Sequence, residues 1–294
     1  MAAGPDPAWS QDNGGRAAHW PTAATQVVGV IGTPIRHSLS PAIHNAAFAS
    51  LGMDWAFVAF EVAAGDARTA LVGARALGVT GLSVTMPHKA EVAAAVDEVS
   101  GVAAALGAVN TVVRRGARLI GDSTDGEGFL ASLRAVDVDP AGRRAVVIGA
   151  GGAARAVVLA LGSAGGEVVV VARRPEAARE AALLAGPTGR VGGWADIGAA
   201  ELVVNATPVG MAGTPGEGRL AVDPGSFHPG QVVVDLVYHP RRTPLLVAAE
   251  AAGAQAVDGV GMLVHQAALA FRLWTGVDAP LAVMRAAALE ALAG

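Results

Sequence analysis

The sequence predicts an α/β protein of two domains, an N-terminal α/β domain followed by an open, doubly wound sheet. Short β-branched runs alternate with Ala/Leu-rich helical stretches from Gln26 onward, which is the pattern of strands joined by helical crossovers. A chain of 294 residues suits two domains at about 100 to 200 residues each. A glycine-rich segment over 149–152 joins a wholly apolar strand to an Ala-rich helix, where a phosphate-binding turn has physical meaning. Apolar residues make up 52% and charged residues 16%, too hydrophobic for disorder and ample for a core.

The elements follow in order. A strand over 27–31 runs into a turn at Pro34, then a helix that Ser40 can cap and Pro41 can open. Gly52 ends it, and a strand over 55–62 leads to a helix over 66–77 closed by Gly78. The strand over 81–86 is broken by Pro87, and helical spacing resumes over 88–99 and again to 106. Strands over 109–114 and 118–120 precede a helix over 127–136. After the Gly/Pro/Arg-rich stretch 139–144, the apolar run 145–148 reads as a strand buried on both faces. Helix 153–164, strand 168–171, helix 176–185, strands 202–205 and 232–237, helix 245–252 and strand 254–257 complete the doubly wound pattern. Periodicity leaves open which layer the last helices, 262–274 and 280–292, join.

Composition narrows the function. With 21 Lys+Arg against 25 Asp+Glu the net charge is −4, which offers no basic surface to nucleic acid. Zero cysteines exclude disulfides and thiolate sites, and seven histidines without an HExxH pair point to no metal. The longest apolar candidate, 153–172, is cut by Arg155, Gly165, Gly166 and Glu167, so no membrane helix of roughly 18 residues is expected. Residues 1–25 hold Gly4, Pro5, Pro7, Gly14, Gly15 and Pro21 without periodicity or a signal-peptide pattern, and read as a disordered leader.

In the segment Ile148-Gly149-Ala150-Gly151-Gly152-Ala153-Ala154, Gly149 permits the tight turn, Gly151 lets a pyrophosphate approach the backbone, and Ala154 is small enough for helix-on-strand packing. The helix start then presents free N–H groups to the anion. An NAD-binding chain carries a carboxylate about 20 residues on to grip the ribose hydroxyl. Here the next strand ends Val171-Ala172-Arg173-Arg174, and two guanidiniums suit a 2′-phosphate. The expected cofactor is NADP, held by a Rossmann-type domain.

Three further constellations stand in the first half: Ser38-Leu39-Ser40-Pro41; Ser83-Val84-Thr85-Met86-Pro87-His88-Lys89; and Gly107-Ala108-Val109-Asn110-Thr111 with Gly121-Asp122-Ser123-Thr124-Asp125-Gly126. Singly, each has a plain reading: Ser40 as a helix cap, Lys89 as a solvated first-turn residue, Asn110 as a turn residue and Asp125 as an N-cap. Together with N-A-T-x-x-G-M over 205–211 and G-x-G-M-L-V-x-Q-A over 259–267, they resemble the shikimate dehydrogenase family, in the family's order and over more than four fifths of the chain.

The resemblance implies NADPH-dependent, reversible reduction of 3-dehydroshikimate to shikimate, on the route to aromatic amino acids, with the active site in an interdomain cleft. It implies Lys89 as proton donor and acceptor, with Asp125 as its orienting partner. Ser38, Ser40, Thr85 and Tyr238 are expected to hold the substrate carboxylate, while Asn110, Gln266, Asp125 and Lys89 read the ring hydroxyls. Tyr238, the only tyrosine, also has a plain reading as an aromatic sealing a strand end. Gly149, Ala150, Gly151, Gly152, Ala153, Arg173, Arg174, Asn205, Thr207, Gly259 and Met262 are expected around NADP. The helix carrying Gln266 resembles one that returns to the first domain, giving a discontinuous substrate domain, 26–124 plus 260–294, around a nucleotide domain, 125–259.

A monomer or homodimer in the cytoplasm, acting on a small molecule, completes the expectation. Ser83 stands where an Asn is frequent in the family, Ala172-Arg173-Arg174 replaces a common Asn-Arg-Thr, and His265 replaces a small residue. Two alternatives stay open: a relative acting on quinate or aminoshikimate with NAD, and an NADP-binding regulator without catalysis. Ser40 and the arginine pair argue against the first, and the retention of Lys89 with Asp125 against the second.

Overall fold

Strand β1 (Gln26–Gly32) begins the first sheet and β2 (Trp55–Glu61), β3 (Gly81–Val84), β4 (Glu98–Val99), β5 (Thr111–Arg115) and β6 (Arg118–Asp122) complete it, in the order β2-β1-β3-β5-β6-β4. The structure is a computed structural model that describes residues 21–293. In this sheet β1 runs parallel to β2 and β3, whereas β5 is antiparallel to both β3 and β6. Helices α1 (Ser40–Ser50), α2 (Ala67–Ala76), α3 (Lys89–Ala93) and α4 (Gly101–Leu106) connect its strands. Residues 1–20 of the expected leader lie outside the described residues. Of the remainder, Thr22 and Thr25 both donate hydroxyl hydrogen bonds to Asp54, tying the segment to the start of β2.

After α5 (Asp125–Arg134) the second sheet is built from β7 (Arg144–Ile148), β8 (Glu167–Val171), β9 (Gly189–Val191), β10 (Leu202–Asn205), β11 (Val232–Asp235) and β12 (Gln255–Val257). Every neighbouring pair is parallel, in the order β12-β11-β10-β7-β8-β9. The chain therefore starts in the middle at β7, winds outward one way, then returns to β10 and winds out the other way. That reversal opens a crevice at the carboxyl ends of β7 and β10, where doubly wound sheets bind ligands. Crossovers α6 (Gly152–Ser163), α7 (Pro175–Leu183) and α8 (Pro244–Ala251) cover the faces. Val146, Val147, Val168, Val170, Val203, Val204 and Val233 are buried, as the unbroken apolar runs require of a sheet covered on both sides.

The last two helices, α9 (Val260–Thr275) and α10 (Leu281–Ala293), cross back to the first sheet. Val264, Phe271, Trp274 and Met284 share one buried cluster with Val28, Val30, Phe48 and Phe57, and the Trp274 indole N–H donates to the Val112 carbonyl at 3.0 Å. On its way α9 meets α5 at very short range. A Cβ on Gly128 would lie 2.6 Å from the backbone nitrogen of Gln266, so only glycine permits this crossing.

Two elements differ from the expectation. The helix read over 88–99 is α3 followed by a turn and β4. Asp97 accepts the Leu119 N–H and an Arg75 guanidinium N–H, both at 2.6 Å, which draws the chain into pairing beside β6. Strand β9, three residues long after a short 3-10 turn, has no alternation for a sequence reading to find, and exists because β8 offers it an edge.

Candidate active site between the two sheets

Lys89 opens α3 just beyond the Pro87 break, and Asp125 opens α5 just beyond β6. The fold brings them into contact: Lys89 Nζ donates to Asp125 Oδ2 at 2.6 Å, with 22% and 10% of their side chains exposed. Asn110 occupies the other carboxylate oxygen, Nδ2 donating to Asp125 Oδ1 at 2.7 Å. The orientation of that amide is determined, since Asn110 Oδ1 accepts the Thr124 backbone N–H at 2.8 Å and the Thr111 hydroxyl at 2.9 Å. Thr124 is thus part of the arrangement, inside the G-D-x-T-D-G motif, where its spacing alone gave no reason to single it out.

The plain readings of these residues do not describe the geometry. Leu39 and Thr124, not Ser40 and Asp125, precede their helices, and neither Ser40 nor Asp125 makes a capping bond. Asn110 is buried and Lys89 is paired. An ammonium has three N–H donors; one is committed to Asp125, and the Lys89 side chain approaches the start of α6. The nearest atom to a Cβ placed on Gly152 is Cδ of Lys89, at 3.9 Å.

The other residues expected at the substrate lie on four segments. Ser38 and Ser40 adjoin each other, the Ser40 N–H reaching Ser38 Oγ at 3.3 Å. Thr85 is stitched to β1 by its N–H to the Ile31 carbonyl at 3.0 Å. Tyr238 follows β11 and packs on the first-sheet cluster; burial pushes its phenol up, so the hydroxyl stays a donor. Gln266 is placed by the α5–α9 crossing, its Nε2 donating to the Leu263 carbonyl at 2.8 Å. His265 beside it is half-buried, and burial together with Arg285 lowers its pKa. Ser83 pairs in register with Thr111 across β3 and β5; nothing in its surroundings explains the exchange for Asn.

On the nucleotide side, Gly149 has φ 116°, and a Cβ there would meet the Ala206 carbonyl at 3.1 Å and Thr207 at 3.2 Å. Gly151 faces open space where a Cβ would stand, and α6 begins there without a side-chain cap. The helix N–H groups are consequently free for an anion. Ala150 and Ala153 flank this turn, half-buried. Arg173 and Arg174 are exposed beyond β8, and among the described residues neither forms an ion pair. This set of groups fits NADP.

Four of the residues expected around the cofactor, Asn205, Thr207, Gly259 and Met262, are engaged within the protein. Asn205 is fully buried, donating to Asp235 Oδ1 at 2.9 Å and accepting from the Thr207 N–H and hydroxyl at 3.1 and 2.7 Å. Asn205 and Thr207 therefore shape the turn after β10 rather than offer it free side-chain groups. Gly259 is buried where a Cβ would lie 2.5 Å from the Leu236 carbonyl, so packing alone accounts for glycine there. Met262 packs against the second-sheet core.

Residues 30–112 match the shikimate dehydrogenase substrate binding domain, and residues 259–289 the shikimate 5'-dehydrogenase C-terminal domain. A shikimate dehydrogenase (NADP(+)) of Moorella thermoacetica is 46% identical over 281 residues, spanning 92% of this chain and 95% of its own. The crystal structure of shikimate 5-dehydrogenase from Thermus thermophilus, in complex with NADP(H) and shikimate, aligns with TM-score 0.86 and 39% identity over 91% of this chain and 100% of that one. A quinate dehydrogenase from Corynebacterium glutamicum in complex with NAD aligns with TM-score 0.83 and 35% identity, over 90% and 99%.

Proposed function

The chain belongs to the shikimate dehydrogenase family, and from that we propose that it catalyses the reversible, NADP(H)-dependent interconversion of 3-dehydroshikimate and shikimate. The observation that carries this reading is the Lys89–Asp125–Asn110 chain of hydrogen bonds facing the phosphate-binding turn of α6. NADPH, when bound, supplies the hydride that reduces the ketone. Lys89 gives a proton from Nζ to the oxygen that acquires negative charge and takes one back in the reverse direction. Asp125 holds the ammonium in place, and Asn110 fixes the carboxylate so that Lys89 has one resting position.

Ser38, Ser40, Thr85 and Tyr238 supply neutral donors for the substrate carboxylate. Asn110, Asp125, Lys89 and Gln266 supply the mixed donors and acceptors that read ring hydroxyls, and such a site rejects analogues lacking them. The N–H groups of 149–153 take the pyrophosphate, and Arg173 with Arg174 the 2′-phosphate. The substrate domain is 26–124 with 260–294, and the nucleotide domain 125–259.

A second reading, quinate with NAD, is favoured by the likeness to the quinate dehydrogenase and opposed by the two unpaired arginines where NAD calls for a carboxylate. Absorbance at 340 nm with shikimate or quinate, each with NADP+ or NAD+, separates the two. Shikimate with NADP+ is expected to give the highest kcat/KM; preference for quinate with NAD+ selects the second reading, and no turnover in any combination ends both.

A further inference from the structure

Among the described residues, Asp235, at the end of β11, is the one acidic side chain of the second sheet that is completely buried and engaged on both oxygens. Oδ1 accepts from Asn205 Nδ2 at 2.9 Å and from the Val237 N–H at 3.1 Å, and Oδ2 accepts from the Thr243 hydroxyl at 2.7 Å. Each partner governs a different part of the cleft. Asn205 in turn holds the Thr207 N–H and hydroxyl, and this turn lies against Gly149, at the crevice between β7 and β10. Val237 fixes the exit from β11 immediately before Tyr238, on the substrate side. Thr243 caps α8, accepting the Leu246 N–H at 3.3 Å.

We propose that Asp235 is a positioning residue whose carboxylate holds the cofactor-side turn and the Tyr238 segment in register with one another. This rests on the reading of the β7–β10 crevice as an NADP site. The mechanism is electrostatic. Bonds accepted by a carboxylate are roughly twice as strong as neutral ones, so the negative charge, and not merely an oxygen in the right place, tightens the Asn205 and Val237 contacts.

Burial pushes Asp235 up to about 6, opposed by its three hydrogen bonds, with no charged neighbour contributing. The facing elements agree. Besides Asn205, β10 contributes only Leu202, Val203 and Val204, and β12 only Gln255, Ala256 and Val257. The charges of the following loop are paired with other groups: Arg241 with Asp258 at 2.9 Å, and Arg242 with Glu250 of α8. Tyr238 is held neutral by burial and His239 is exposed. The carboxylate is thus kept charged at neutral pH at a cost to the fold, a trade of stability for function.

Asp235→Asn tests this because it is the permanently neutral form and keeps a hydrogen bond to each partner: Oδ1 accepts from Asn205 and Val237, and Nδ2 donates to the Thr243 hydroxyl. Calorimetric Kd for NADP+ and the Tm of the ligand-free protein are measured from near pH 5 to near pH 8. At the upper end Asp235→Asn should bind NADP+ about threefold to tenfold more weakly, from halving charge-assisted bonds, while its Tm is higher than wild type. The ratio of the two Kd values should converge to one as pH falls through about 6; the cofactor's own phosphate titration cancels in that ratio.

A ratio near one at every pH, a pH-independent ratio, or lower affinity accompanied by a lower Tm each overturns the proposal. Thr243→Val guards against an Asn variant that does not fold. It removes one donor to the carboxylate and should move the pH at which affinity is lost upward, and an unmoved midpoint is equally fatal. Absence of shikimate turnover in wild type would instead fail the functional reading while leaving these affinity and Tm measurements interpretable.

Discussion

Lys89 has little freedom of movement. Its ammonium is bonded to a carboxylate whose second oxygen is held by Asn110, and Asn110 is itself fixed by a backbone N–H. Lys89→Ala should lower kcat by about 10²- to 10⁴-fold, the usual weight of a positioned acid/base group, with a smaller change in shikimate affinity; near-normal turnover in steady-state assays would remove Lys89 from the chemistry. The arginines beyond β8 carry a complementary prediction. Each charge-assisted bond to a phosphate is worth about 1.5 to 3 kcal/mol, so Arg173→Ala should weaken NADP+ binding by roughly 10- to 100-fold and leave NAD+ binding nearly unchanged. Equal losses for both cofactors in a titration would place the side chain away from the 2′-phosphate. Arg173 stood out in the sequence by its place at the end of the strand after the glycine-rich turn, and Lys89 through the motifs that carry the family resemblance. Asp235 and Thr124 did not: Asp235 falls inside the apolar strand expected over 232–237, and its partner Asn205 is 30 residues away.

Among the elements, the α5–α9 crossing is the most sensitive joint. Gly128 has no special backbone angle to require glycine; the requirement comes wholly from the neighbouring helix, whose Gln266 backbone would lie 2.6 Å from an added Cβ. Gly128→Ala should therefore destabilise by about 1 to 3 kcal/mol, the range for overpacking a close contact, lower Tm by several degrees, and raise the KM for shikimate because Gln266 moves with α9. An unchanged Tm by scanning calorimetry would show that the helices separate without strain. Most long elements were legible from period and punctuation: β1, β7, β8 and α6 fall within a residue or two of the expectation. The failures were short. Strands β4 and β9 are held by pairing with β6 and β8, and pairing between distant segments leaves no local pattern.

Across the molecule as a unit, two buried groups pull the pH dependence of stability in opposite directions. His44 is buried among Phe57, Phe271 and Trp274, stacked on Phe57 at 4.5 Å, and burial lowers its pKa to about 3. The folded protein keeps it neutral while the unfolded chain protonates it below about 6.5, so its contribution is fully present above that pH and is lost as pH falls toward 3. The loss is about 2 kcal/mol by pH 5. Asp235 runs the other way: its folded value near 6 exceeds the unfolded 3.8, so stability is lost as pH rises between them, by about 3 kcal/mol in total. Between pH 4 and 6 the two offset each other. His44→Phe keeps the stack and removes the buried Nδ1, which has no partner. Its Tm should gain on wild type most at about pH 5 and least at about pH 8; a gain independent of pH would show that repacking, not protonation, is responsible.

Periodicity, glycine placement and motif spacing are local properties of the chain, and they were enough to predict the two-domain α/β architecture and to single out the glycine-rich turn before α6 and the arginine pair, while the resemblance to the family named the candidate acid/base residues. The inward bonding of Asn205 and Thr207, the packing that requires glycine at 259, the close approach of α9 that requires glycine at 128, and the surroundings that shift Asp235 and His44 emerged only from the folded arrangement. Burial and hydrogen-bond satisfaction depend on which distant segments meet, and no window of consecutive residues contains that information.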